Sequence, residues 1–245
     1  MARICSIHQP SYWPYLGLFD KVARSDIFVF LDDVQFVKNE FKNRNKLFTN
    51  SMKSSDPARV DWLTLPVRHG SMLQTIRDTQ LVNLGPTLRK HLATVSQAYG
   101  QLPGFRGLKS ELEHLYSSLA GEGLSLADVN AATTRFALQK LGIGTEIFGM
   151  SSAILEKSDD PTQRLIDICK HVGADTYLAG AGGTEYMQVQ EFERQGITLL
   201  WQAWHPFAYP QAHSPAAFVP YLCCLDLLFN CGADSAALFQ KSLHP

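Results

Sequence analysis

Two adjacent carboxylates, Asp32 and Asp33, stand directly after the apolar run Ile27-Phe28-Val29-Phe30-Leu31. Gln35 follows, and then a polar cluster of Lys38, Lys42, Asn43, Arg44, Asn45 and Lys46. Carboxylates in such a place accept a substrate hydroxyl or amine, bind a divalent metal, or cap a turn. Successive residues on a strand point to opposite faces, which argues against both gripping one ion. No second group of carboxylates or histidines stands at ligand spacing, so no metal is expected. The basic and amide side chains offer donors suited to phosphate or carboxylate, with a solvated basic face as the plain alternative.

Three other stretches carry candidate chemistry. His8-Gln9-Pro10 precedes an aromatic-rich loop containing Tyr12, and a His beside a carboxylate suits a general base. The alternative is a loop histidine with a structural hydrogen bond. Gly180-Ala181-Gly182-Gly183-Thr184, followed by Glu185 and Tyr186, could let backbone amides approach a phosphate. It is neither a GxGxxG fingerprint nor a Walker loop, and a tight strand-to-helix turn is the plain reading. His205 lies beyond a last apolar strand and is a second acid–base candidate. His69, His91, His114 and His171 are read as surface or packing residues.

The elements that must position these groups alternate. Residues 3–7 and 27–31 read as strands joined by a helix over 15–24, a parallel crossover unit. A polar loop over 49–59 leads to a hairpin of 62–67 with 73–77, turning at His69-Gly70-Ser71. A mostly helical middle follows over 86–141, with helices at 86–99, 108–120 and 126–141. Strands at 145–148, 175–179 and 197–202 then alternate with helices at 161–171 and 189–195, and an apolar helix spans 221–230. This predicts a three-layer, mostly parallel Rossmann-like α/β fold, one domain over 1–245 with a helical insertion at 86–141. In open parallel sheets ligands sit beyond the carboxyl ends of the strands, where His8, the twin aspartates and the Asn43-Arg44-Asn45 run would meet, with His205 at the same edge.

Composition narrows the class. The chain has 245 residues, 45% hydrophobic and 18% charged, with a net charge of −1. No global field attracts nucleic acid or an anionic membrane. No signal-peptide pattern or membrane-length apolar run is present, so a cytoplasmic protein without membrane insertion is expected. The five cysteines contain no CxxC pair, and free buried thiols are expected.

Taken together, His8-Gln9-Pro10-Ser11-Tyr12, Phe19-Asp20-Lys21, Asp32-Asp33-Val34-Gln35-Phe36, Asn43-Arg44-Asn45 and Leu63-Thr64-Leu65-Pro66-Val67 resemble the signature of the WbqC-like protein family. Gly180, Gly182-Gly183, Tyr186, His205-Pro206, Tyr209-Pro210-Gln211 and Asp226-Leu227-Leu228-Phe229-Asn230 extend it over nearly the whole chain. The resemblance implies a product of surface-polysaccharide or other biosynthetic gene clusters, with acylation or aminoacylation of amino sugars as a suggested role. It puts His8, Gln9, Asp32, Asp33, Gln35, Asn43, Arg44, Asn45 and His205 in the candidate site. More distantly, the opening is similar to pantothenate synthetase and related nucleotidylyl-transfer folds, with Gln35-Phe36 at the acid-binding positions. Where those enzymes carry H-x-G-H, this chain has Trp13-Pro14-Tyr15-Leu16-Gly17, which leaves the use of ATP open. The expected ligand is a small phosphate- or carboxylate-bearing substrate. The cofactor is unassigned, a nucleotide or activated acyl donor being the implied type.

Overall fold

A computed structural model describes residues 2–48, 60–68, 70–71, 73–121, 123–154, 158–185, 187–212 and 218–244. The 49–59 loop and the His69 turn expected above lie outside them. Contacts divide the chain into two compact units. The first comprises Met1–Pro10, Gly17–Val34 and Ile143–His205; the second comprises Ser11–Leu16, Gln35–Gly142 and Pro206–Pro245.

The first unit is a three-layer Rossmann-like fold. Its five strands are β1 (Ile4–His8), β2 (Ile27–Phe30), β5 (Glu146–Met150), β6 (Thr176–Ala179) and β7 (Thr198–Trp201). All pair in parallel, in the order β5-β2-β1-β6-β7. β2 and β6 are buried at every position, as strands covered on both faces must be, which is why they read as unbroken apolar runs. Cys5, Ile7, Ile27, Val29, Tyr177 and Ala179 pack on one face against α5 (Pro161–His171) and α6 (Val189–Arg194). Ser6, Phe28, Phe30 and Leu178, of the other parity, are buried too. That face is the one a right-handed crossover through α1 (Leu16–Ala23) covers.

From β1 the chain winds outward to β2 and β5, then returns to add β6 and β7 on the other side. The winding reverses between β1 and β6, which makes that pair the topological switch point. β1 stays paired to β2 as far as His8 with Phe30, but its pairing with β6 runs only to Ser6 with Leu178. The two strands part at their carboxyl ends.

In the second unit, β3 (Arg44–Phe48) and β4 (Val60–Thr64) form an antiparallel ribbon. This corrects the expected hairpin: β4 pairs with the basic cluster, and 73–77 contributes only an isolated bridge from Thr75 to Gln35. β3 alternates as a strand should, but the inward side chain at its start is the amide of Asn45, which hides the period from a hydrophobic pattern. The helical middle consists of α2 (Leu84–Tyr99), α3 (Pro103–Leu119) and α4 (Leu126–Lys140). It does not stand alone, because α3 packs against both α2 and α7 (Cys224–Cys231). A capping box between Ser125 and Asp128 opens α4. α3 begins at Pro103, earlier than expected, and α8 (Ser235–Ser242) was not expected.

A chain of buried hydrogen bonds holds this unit's aromatics. The Thr64 carbonyl can only accept, so His91 Nε2 donates to it at 3.2 Å and Nδ1 accepts from the Tyr12 hydroxyl at 2.9 Å. Trp13 Nε1 donates to the Tyr116 hydroxyl, which stands 3.3 Å from that of Tyr12. Burial lowers the His91 pKa to about 4. A histidine depressed in this way stays neutral in the fold but protonates in the unfolded chain below its ordinary value of 6.5. Stability is therefore full above pH 6.5 and falls as pH drops toward 4, by on the order of 3 kcal/mol. Urea unfolding across that window should show the loss in the wild type and a flatter profile in His91→Gln. Equal slopes in the two would contradict it.

Candidate functional site

His8, the twin aspartates, the glycine turn and His205 all fall at or just past carboxyl ends of the parallel sheet, in the first unit. His8 closes β1 and is partly exposed, and its carbonyl accepts from Leu31 N at 2.9 Å. Gln9 follows it and is also partly exposed. After β6, residues Ala181–Glu185 form a single 3-10 turn. A side chain at Gly182 would meet open space, whereas one at Gly183 would press on the Met187 side chain. Gly182 is thus the exposed member of the turn and Gly183 its packing member. Glu185 is described by its backbone alone, and Tyr186 lies outside the described residues. His205 is exposed, four residues past β7. Gln202 anchors that segment, donating to the Gly17 carbonyl at 2.8 Å and to Asp20 Oδ2 at 2.7 Å.

The twin aspartates turn inward. β2 ends at Phe30, so strand alternation no longer governs Asp32 and Asp33, and both carboxylates reach the same serine. This corrects the expectation that they face apart. Ser151 Oγ is 2.7 Å from Asp33 Oδ1 and 3.1 Å from Asp32 Oδ1. It has one proton, which the shorter contact takes. Asp32 instead receives the Ser152 amide at 2.9 Å and the Ser152 hydroxyl at 2.7 Å, capping the turn that leaves β5. Asp33 Oδ2 is held by Arg164 Nη2 at 2.5 Å, an ion pair whose side chains are 3% and 11% exposed. These carboxylates fasten the end of β2 to the exit of β5 and to α5. Among the described residues no group of three or more metal-ligating side chains occurs.

The remaining candidates belong to the second unit. Tyr12 is fully buried, its hydroxyl occupied by the His91 and Tyr116 contacts. The Asn43 amide donates to the Leu65 carbonyl at 3.0 Å. That of Asn45 donates to the carbonyls of Tyr12 and Trp13 at 3.3 and 2.7 Å. Both amides serve the backbone; the second secures a loop in which Trp13 takes a φ of 42°. Gln35 and Lys38 are exposed, and Lys42 pairs with Glu40 at 2.9 Å. Arg44 and Lys46 share the outer face of β3 and both stand over the Trp62 ring, at 4.2 and 5.2 Å from its centroid. Phe41, 47% exposed, lies 5.7 Å from the same ring. This surface joins aromatic faces to cations.

Besides Arg164 and Asp20, sequence reasoning gave no role to the buried charges Asp226 and Lys21. Asp226, on α7, receives Tyr99 Oη at 2.7 Å, Tyr209 Oη at 2.8 Å, Gln211 Nε2 at 2.8 Å and Asn230 Nδ2 at 3.2 Å. Burial raises its pKa, against the pull of those donors. Lys21, on α1, is 3% exposed and donates to the Ile7 carbonyl at 2.8 Å. Asp226 is the lone charge of an apolar helix and Lys21 stands beside Asp20 in another, and that was the available signal.

Fold and site together define a Rossmann-like α/β protein with its candidate site at the carboxyl edge of a parallel sheet. The WbqC-like protein family matches residues 9–237, and the chain belongs to that family. His8 lies one residue before the matched stretch. The chain is also 29% identical over 232 residues to the uncharacterized protein Rv1507c of Mycobacterium tuberculosis, covering 94% of each. No solved structure matches it. Tyr209, Gln211, Asp226 and Asn230, all within the matched stretch, meet in the buried network around Asp226. Among the described residues no helix is long and apolar enough to cross a membrane.

Proposed function

We propose that this protein is a cytoplasmic biosynthetic transferase or ligase that acylates or aminoacylates an amine, on a nucleotide-linked amino sugar of surface-polysaccharide or related biosynthesis. The observation that carries the reading is His8 at the end of β1, flanking the point where β1 and β6 part, with the glycine turn following β6. His8 accepts the proton of the amine as its nitrogen attacks the acyl carbon, and the proton then passes to the departing group of the activated donor. His205 is the second acid–base group. Asp32 and Asp33, engaged with Ser151, Ser152 and Arg164, act by holding the strand ends rather than by taking protons. Gln9 and Gly182 contact the substrate. In the second unit, the Arg44–Trp62–Lys46 face with Phe41 suits a phosphate and a stacked base, and Arg44 Nε is buried with no acceptor among the described residues.

The engagement of both aspartates also favours a second reading, a non-catalytic sugar-nucleotide-binding protein of a biosynthetic complex. Mass spectrometry after incubation with nucleotide-linked amino sugars and activated acyl donors separates the two. The transferase predicts amide product in the wild type and at least a hundredfold slower turnover in His8→Ala, the usual scale of general-base catalysis. Full turnover in His8→Ala removes His8 from the chemistry. Binding without product in any combination favours the second reading.

A further inference from the structure

Where β1 and β6 part, a backbone carbonyl takes a buried cation. The Ile7 carbonyl lies one residue beyond the last β1–β6 pair, Ser6 with Leu178, and accepts from Lys21 Nζ at 2.8 Å. The ammonium stands 5.7 Å from the centre of the Tyr177 ring on β6, and a side chain at position 180 would begin 4.0 Å from it. An ammonium has three donors. Here one is used, and among the described residues no carboxylate lies within ion-pairing distance and no other acceptor takes the remaining two. A buried cation left in this state is costly, and natural interiors nearly always pair it.

We propose that Lys21 is a ligand-contacting residue of the switch-point crevice, where its two remaining N–H donors meet an anionic group, phosphate or carboxylate, of the bound molecule. This rests on the reading that the crevice between β1 and β6 is the substrate site. Gly180 follows: a side chain there would fill the space beside the ammonium. The recessed setting strengthens the contact, because charge interactions grow as water is excluded. Burial lowers the Lys21 pKa to about 8, so the group is mostly charged at pH 7 and mostly neutral at pH 9.5. The titratable groups facing it are the Tyr177 phenol and the thiols of Cys5 and Cys169, and a hydrogen bond with Cys5, together with burial, raises that of Cys169 well above its ordinary value.

The test uses sulfate and acetate, whose own charges are constant between pH 7 and 9.5. Each is titrated into the whole protein while the backbone amides of Gly180 and Gly182 are followed by NMR, which excludes binding elsewhere. Sulfate shifting these amides assigns a phosphate-type group, and acetate a carboxylate. Wild-type affinity for the effective ion should fall at least tenfold from pH 7 to 9.5. Lys21→Met should bind at least tenfold more weakly at pH 7 with no pH dependence. Lys21→Arg, charged throughout, should bind equally at both values, and it decides the matter if Lys21→Met does not fold. Failure of both ions to shift the amides of the wild type overturns the proposal, as does Lys21→Met binding like the wild type. Ion binding that persists while no amide product forms keeps Lys21 and sinks the transferase; product formed at full rate by Lys21→Met does the reverse.

Discussion

Arg164→Met is expected to destabilise the protein by about 3–5 kcal/mol, the cost of stranding one partner of a buried ion pair. Asp33 Oδ2 takes its bond from Arg164 Nη2, and the same nitrogen holds the Ser151 carbonyl at 2.9 Å. Methionine fills most of the space but returns neither bond. The carboxylate would keep only the Ser151 hydroxyl at 2.7 Å. Domains are stable by roughly 5–15 kcal/mol in total, so the loss is a large share of the whole. Adding Asp33→Asn should recover part of it, because the second change removes the stranded charge. Urea denaturation of the two variants reads this directly. A single variant within about 1 kcal/mol of the wild type would show that the pair contributes as little as a surface pair does.

Gly104→Ala is expected to cost about 2 kcal/mol or more, against the ordinary preference of helices for alanine. Position 104 is in the first turn of α3, where that helix crosses α7. A Cβ there would sit 2.5 Å from the Phe229 carbonyl oxygen, 2.7 Å from that of Leu228 and 2.8 Å from Gly232 N. All three are backbone atoms, so no side chain can swing away. Gly232 is itself fixed by a φ of 55° at the end of α7. Gly107 lies on the same helix with nothing within 4 Å, and Gly107→Ala should gain up to about 1 kcal/mol. Thermal melts of the pair supply their own control. Equal behaviour of the two would mean that α3 moves away from α7 at little cost.

The parallel sheet was legible because a strand buried on both faces needs an unbroken apolar run, and Ile27 to Leu31 and Tyr177 to Ala179 supply one each. α4 was legible through its helical periodicity and α5 through the aspartates that precede Pro161, of which Asp160 caps the helix. β3 was not, since Arg-Asn-Lys alternates in burial but not in polarity. The start of α3 was missed for a related reason: Gly104 reads as a helix breaker, yet it marks close packing. Asp32 and Asp33 could be placed at the sheet's edge by counting along a strand. That they turn toward Ser151 depends on a residue 118 positions away, which no local pattern encodes. Lys21 and Asp226 were visible as charges in apolar helices, but whether such a charge faces water or a carbonyl is decided by tertiary packing.

The location of the site is tested most directly by NMR titration of the whole protein with a nucleotide-linked amino sugar, following the His8 imidazole and the amides of Gly180 and Gly182. Saturable shifts at all three, with one shared dissociation constant, are predicted. Binding that leaves these signals unmoved would place the ligand elsewhere and contradict a site at the carboxyl ends of β1 and β6.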